Sequence, residues 1–252
     1  MANHVEAEHL RATAHRGPLK WLWGAAATAA CVLITAVLAP IAAILAALGK
    51  MHALTRLTGF WARLLIRVCG VTVELEGAQN LEGIPACVLV SNHQSFFDIF
   101  AIAAFIPREM RFVAKRELRW IPVIGYALAR GDHIMIHRQA GGSAIRKAVE
   151  IARKGYSLSV FAEGHRFNDN RIHEFSDGGA WLAILAKLPV VPMSISGSGA
   201  FFPRRAVVVI PGGKMRMTIG KPIETIGLKS ADRTELTRKL EEAVRATFEE
   251  EI

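Results

Sequence analysis

From Trp21 to Gly49 the chain carries no charged residue, a stretch of 29 that an ordinary solvated segment would not tolerate. Cysteine is equally scarce. Cys31, Cys69 and Cys87 are odd in number and sit in apolar surroundings, which excludes a disulfide framework and suits buried thiols in a reducing compartment. Aromatic residues make up only 8%. With a basic balance and a lipid-like run, that argues against nucleic acid as the partner. The sequence has no G-x-S-x-G elbow, no Walker A loop and no G-x-G-x-x-G after a strand. C-x-x-C and H-E-x-x-H are missing too, and the nine histidines are scattered without ligand spacing, so no metal site is expected. Internal repeats, low-complexity tracts and long linkers are also lacking.

What is present points to a membrane surface. The 252 residues can bury a sizeable core, and 52% of them are apolar. Lys and Arg (31) exceed Asp and Glu (22) by nine, which favours anionic partners such as a lipid surface or phosphate groups. Residues 1–20 are polar and weakly basic, with Arg11, Arg16 and Lys20 ahead of the apolar run. That run is too long for a cleaved signal core of roughly 7–15 residues. It exceeds the roughly 20 residues of one crossing and falls short of two. Pro40 is expected to break or kink it. Positive charge lies on both sides, with Lys50, Arg56, Arg63 and Arg67 following, so both ends are expected on one face. The reading is a membrane-embedded or re-entrant element over 21–49, followed by a basic amphipathic helix over 50–69 at the interface or packed on the globular part.

After Gly70, short apolar segments alternate with helical patterns. Strands are expected at 71–75, 86–90, 111–114, 133–136, 158–162, 190–195, 206–210 and 214–219. Helices are expected at 96–105, 143–154, 178–187 and 232–250, the last with Leu236, Leu240, Val244 and Phe248 on one face and Asp232 and Glu235 as a capping pair. The fold class is α/β: a single mixed-sheet domain over 70–252, preceded by the helical element at 21–69 and the polar terminus at 1–20. Pro192, inside an apolar strand, argues for an edge or bulged position.

Two stretches carry chemistry. SNHQSFFD (91–98) follows an apolar strand and opens an apolar helix, a turn type that forms the ligand-binding rim of α/β folds. Ser95 and Asp98 have the spacing of a helix-capping pair, which leaves Asn92 and His93 unexplained. A histidine can take a proton near neutral pH, and a carboxylate on its other ring nitrogen fixes the tautomer. Without a compelling serine nucleophile, such a pair suits activation of a hydroxyl that belongs to the substrate. VFAEGHRF (160–167) also follows an apolar strand; Gly164 permits close backbone approach there and Arg166 can grip a phosphate. Both stretches are equally compatible with a plain helix cap and a charged surface turn, and His165 reads as a solvent-facing loop residue.

Taken in order, four blocks resemble the 1-acylglycerol-3-phosphate acyltransferase family, also called lysophosphatidic acid acyltransferases. NHQSFFD resembles its N-H-x4-D block, GDHIMIHR its arginine-ended block with Arg138, FAEGHR its F-P-E-G-T-R block, and VVPMSISG its V-P-V block. Order and spacing match over about 70–225, although Ala162 and His165 stand where the family has Pro and Thr. The resemblance implies His93 as general base and Asp98 as its orienting partner. It implies Lys115 and Arg166 on the acceptor phosphate, with Arg138, Glu163 and Gly164 shaping that site. No cofactor or metal is implied, only acyl-CoA or acyl carrier protein as co-substrate. The implied partners are a lysophospholipid acceptor and anionic membrane lipid, at a membrane whose cytoplasmic side the active site faces. A related acyltransferase using another lysolipid or glycerol 3-phosphate stays open, as do a membrane lipid hydrolase and a non-catalytic lipid-binding protein.

Overall fold

The computed structural model describes residues 17–115, 128, 130, 131, 133–136, 141–167, 169–203 and 206–250. Thirteen regular elements follow in the order α1 (Pro18–Ala47), α2 (Met51–Val68), β1 (Val71–Glu76), β2 (Val88–Ser91), α3 (Phe96–Phe105), β3 (Met110–Lys115), β4 (Ile134–Ile136), α4 (Gly141–Arg153), β5 (Ser157–Phe161), α5 (Gly178–Ala186), β6 (Val190–Ser196), β7 (Gly213–Ile219) and α6 (Arg233–Arg245).

The strands make one mixed sheet in the order β1-β7-β6-β2-β5-β3-β4. All neighbours are parallel except β6 and β7. Helices cover both faces, as buried parallel strands require. Alternation along each strand sorts the side chains. Leu89, Val191, Met193, Met215 and Met217 join Ala62, Ile66, Phe97 and Ile102 of α2 and α3 on one face. Val88, Val90, Leu158 and Val190 join Ile151, Leu182, Leu236 and Leu240 of α4, α5 and α6 on the other.

Four local expectations are corrected. Pro40 does not end α1, which runs through it; the missing N–H leaves the Ala36 carbonyl without its helical donor, and both residues line a cavity wall. Pro192 is not at an edge, because β6 pairs on both sides, but the partner side does bulge opposite it: between the Met193–Ile219 and Val190–Ile223 pairs, three residues (220–222) face two (191 and 192). It is tolerated because the β6–β7 ladder spans only Met193–Ser196, and on that side Pro192 sits between this ladder and the lone Val190–Ile223 bridge. The run at 206–210 is not a strand. Its Val209 N–H goes instead to Thr28 Oγ1 of α1 (3.0 Å) and Ile210 N–H to the Phe201 carbonyl (2.7 Å). Finally, α6 stops at Arg245, and Asp232 and Glu235 do not form a pair. Asp232 accepts from Lys229 N–H, while Glu235 bonds Arg238.

The helix α1 is apolar on nearly every side, and only Gly24, Ala27 and Ala46 are buried. Thirty residues extend about 45 Å. Its inner face is held from Trp23 to Thr35, about 18 Å of that length. Trp23 rests over Gly70 and Gly212, Gly24 packs against the Val209 carbonyl, Cys31 and Cys69 bring their Sγ atoms to 3.6 Å, and Trp61 of α2 donates to Thr35 Oγ1 at 3.0 Å. All three cysteines are free thiols, as expected. The outer face leaves Trp21, Leu22, Val32, Leu33, Val37, Ile41 and Ile44 exposed. Beneath α1, α2 turns Arg56, Phe60, Arg63 and Arg67 outward at helical spacing and buries Leu54, Ala62, Leu65 and Ile66.

Candidate active site

The C-terminal ends of β2, β5 and β6 lie side by side, and the loops leaving β2 and β5 build the site. The last register pairs of β2 are Ser91 with Phe161 and with Met193. One residue further, the Asn92 side chain takes over from the backbone. Its Nδ2 donates to the Ile195 carbonyl and its Oδ1 accepts from Ile195 N–H, both at 2.8 Å. The amide imitates one more step of the β2–β6 ladder, so the main chain can turn away without orphaning β6.

The turn that follows is organised by one carboxylate oxygen. Asp98 Oδ2 accepts from Gln94 N–H (2.8 Å) and Ser95 N–H (2.9 Å) and lies 2.8 Å from His93 Nδ1. Ser95 caps α3 and accepts from Phe97 N–H, so the expected capping pair is present as a reciprocal box. Asp98 is fully buried, and its charge sits in the first turn of α3, where the helix dipole favours an anion. Because an ionised carboxylate only accepts, the proton of a neutral His93 is on Nδ1 and the Nε2 lone pair is left for chemistry. The ring stacks on Phe161 with centroids 3.9 Å apart, and the side chain is 13% exposed. A fixed, accessible base is the result.

From β5, Glu163 reaches under the same loop. Its Oε1 accepts from His93 N–H at 3.0 Å, while Oε2 is buried without a partner. Burial pushes this carboxyl up to about 7. Gly164 adopts φ +71° with open space around a would-be Cβ. The left-handed backbone, rather than close approach, is what requires glycine there. Arg166 turns back and lays its guanidinium 3.9 Å over the Phe96 ring. His165 is exposed. Lys115 ends β3, in register with Ile136; its side chain and Arg138 fall outside the described residues. Among the described residues no cluster of His, Cys, Asp or Glu could hold a metal ion.

Beside this loop, under α1, opens an apolar cavity of about 600 Å3. Phe96, Phe97, Phe100 and Phe202 form its wall on the side of the histidine loop, and Cys31, Thr35 and Trp61 line the helical side. Sequence reasoning named His93, Asp98, Glu163 and Arg166, but it missed the Asn92 stitch, the Glu163–His93 contact and this cavity. The first two join residues 103 and 70 positions apart, for which a single sequence carries no local signal.

The chain resembles known proteins in sequence and in fold. The family pattern described as Acyltransferase matches residues 72–196. A 1-acyl-sn-glycerol-3-phosphate acyltransferase of Pseudomonas aeruginosa is 32% identical over 187 residues, 73% of this chain and 71% of that protein. A chloroplastic one of Brassica napus is 34% identical over 152 residues, 58% of this chain but only 44% of the relative's length. The crystal structure of the 1-acyl-sn-glycerophosphate acyltransferase PlsC from Thermotoga maritima shares the fold, with a TM-score of 0.79 at 24% identity, over 90% of this chain and 95% of that one. By the match with the Pseudomonas enzyme and the acyltransferase pattern together, the chain belongs to the 1-acyl-sn-glycerol-3-phosphate acyltransferase family.

Proposed function

We propose that the protein moves a fatty acyl group from acyl-CoA or acyl carrier protein to the free sn-2 hydroxyl of 1-acylglycerol 3-phosphate, giving phosphatidic acid. The observation that carries this reading is the His93–Asp98 pair, with Nε2 unengaged by Asp98, beside an arginine and an apolar cavity. His93 Nε2 takes the proton from the lipid hydroxyl as that oxygen attacks the thioester carbonyl. The C–S bond breaks, and the departing thiolate recovers the proton from the imidazolium, whose charge Asp98 balances. Arg166 holds the phosphate, assisted by Lys115 and Arg138, and an acyl chain lies in the cavity beneath α1. Glu163 and Gly164 shape the loop, Glu163 by holding the His93 backbone. No metal or acyl-enzyme enters the scheme.

The reading includes a membrane location. The inner face of α1 is occupied by the catalytic domain from Trp23 to Trp61's partner Thr35, while its outer face is apolar throughout. This supports a helix bedded in one leaflet rather than one that crosses the bilayer. The exposed stripe Arg56, Phe60, Arg63 and Arg67 then meets anionic head groups, with the active site on the cytoplasmic side.

The test is acyl transfer by the purified chain in vesicles, with labelled acyl-CoA or acyl carrier protein and a panel of lysolipids plus glycerol 3-phosphate. Labelled phosphatidic acid from lysophosphatidic acid is the expected product. If that acceptor stays unmodified while another is acylated, or if free fatty acid appears without an acceptor, the reading is wrong.

A further inference from the structure

Between β6 and β7 the described residues 198–203 form a neck and 206–212 a far limb, tied to different parts of the molecule. At the neck, Ser95 Oγ donates to the Phe202 carbonyl (3.3 Å), and the Phe202 ring faces Phe96 with centroids 6.0 Å apart. At the far limb, Val209 N–H donates to Thr28 Oγ1, and that hydroxyl in turn donates to the Gly24 carbonyl (2.8 Å). The limb presses on α1 so closely that a Cβ on Gly24 would come within 2.4 Å of the Val209 carbonyl and 3.1 Å of Val208 Cγ1. The loop is closed on itself by the bond from Ile210 N–H to Phe201. Between the two ties stands Val207, 83% exposed, in a run of three β-branched valines that forms no strand.

A valine held out at that level is unfavourable in water, and the neighbouring surface says what covers it. Gly24 and Thr28 lie six and ten residues beyond Pro18, roughly 9–15 Å along the axis of α1. The α1 side chains at that end, Leu19, Trp21, Leu22 and Trp23, are themselves between 46% and 82% exposed. The limb is bonded to the Thr28 side chain and packed against Gly24 of this segment, so it travels with it. Wherever the apolar outer face of α1 goes, Val207 goes too.

We infer that the limb 206–210 is a second lipid-inserting element, with Val207 entering the head-group and acyl boundary of a phospholipid bilayer beside α1. Through Phe202 and Ser95 it joins that contact to the histidine loop. The inference rests on the membrane reading given above, and its test is independent of which acceptor is acylated.

The experiment places a bimane fluorophore on the full-length V207C chain, with the unsubstituted chain treated identically as background and a K229C label as an exposed control. Vesicles are phosphatidylcholine with phosphatidylglycerol, with and without bromine on the acyl chains. The label at 207 should shift to the blue on binding and be quenched by the brominated lipid, whereas the one at 229 should not. V207D should weaken vesicle binding about tenfold, the worth of burying one valine side chain. A 207 label that stays unquenched on vesicle-bound protein overturns the inference. So does a blue shift that needs no lipid and grows with protein concentration, since it would assign the tip to a second copy. Quenching requires no turnover, so inactivity toward lysophosphatidic acid would bear on the proposed reaction and not on the loop.

Discussion

The loops leaving β2 and β5 start from paired residues, Ser91 and Phe161, yet they are held very differently. The β2 loop is fastened at every position. Asn92 is bonded to β6, His93 is held by Asp98 and by Glu163 at its backbone, and Gln94 and Ser95 are held by Asp98. The β5 loop is tied back at Ala162 and Glu163, but beyond them come a left-handed glycine, an exposed histidine and an arginine whose guanidinium lies over an aromatic face. Proton transfer asks for a base fixed to within a fraction of an ångström, whereas a phosphate can be gripped by a long cation that adapts. The contrast fits the two tasks proposed for these loops.

Substitutions can break this contrast in graded steps. H93A should cost the largest factor, about 100- to 10,000-fold in kcat for acyl transfer, with the melting temperature little changed. Wild-type turnover in that variant would remove His93 from the chemistry. R166A should act on the other loop and show as a KM for lysophosphatidic acid raised about tenfold or more, with kcat nearly kept. A loss confined to kcat would contradict the division of labour. N92L leaves the Ile195 N–H and carbonyl unpaired, which costs about 1–3 kcal/mol and is measurable as a Tm lower by several degrees.

Glu163 offers a pH test of the tie between the loops. Its folded pKa, about 7, lies above the ordinary carboxylate value, so the folded state binds the proton more tightly. Stability from this group is present at low pH and is lost as pH rises from about 4.5 through 7. E163Q, which keeps an acceptor for His93 N–H, should flatten that part of the curve in denaturant titrations at successive pH values. Identical slopes in the two proteins would show that Glu163 is ionised throughout. The smallest effect is expected for S95A, about 1 kcal/mol from the lost cap, read from the denaturation midpoint.

Legibility in the sequence followed the range of the interactions. The Ser95–Asp98 box and the His93–Asp98 bond span three and five residues, so NHQSFFD carried them openly. The helices α3 and α5 and most strand positions were readable from periodicity for the same reason. The edge placement of Pro192 misled because its tolerance depends on where β7 stops pairing, and 206–210 misled because β-branched valines there answer to α1, some 180 residues earlier. For Glu163 the sequence supplied the residue but not its duty. Only the sheet order, with β5 beside β2, brings that carboxyl beneath His93.

The Asp98 oxygen that gathers His93, Gln94 and Ser95 has a dynamic consequence. Fraying of the first turn of α3 also releases the imidazole, because the same atom holds both. The hydrogen-exchange protection of the Gln94 and Ser95 amides therefore sets an upper bound on the fraction of molecules in which Asp98 holds the imidazole. A molecule in which this turn has opened has lost the partner of its imidazole, so opening of the turn sets a ceiling on the fraction that can act.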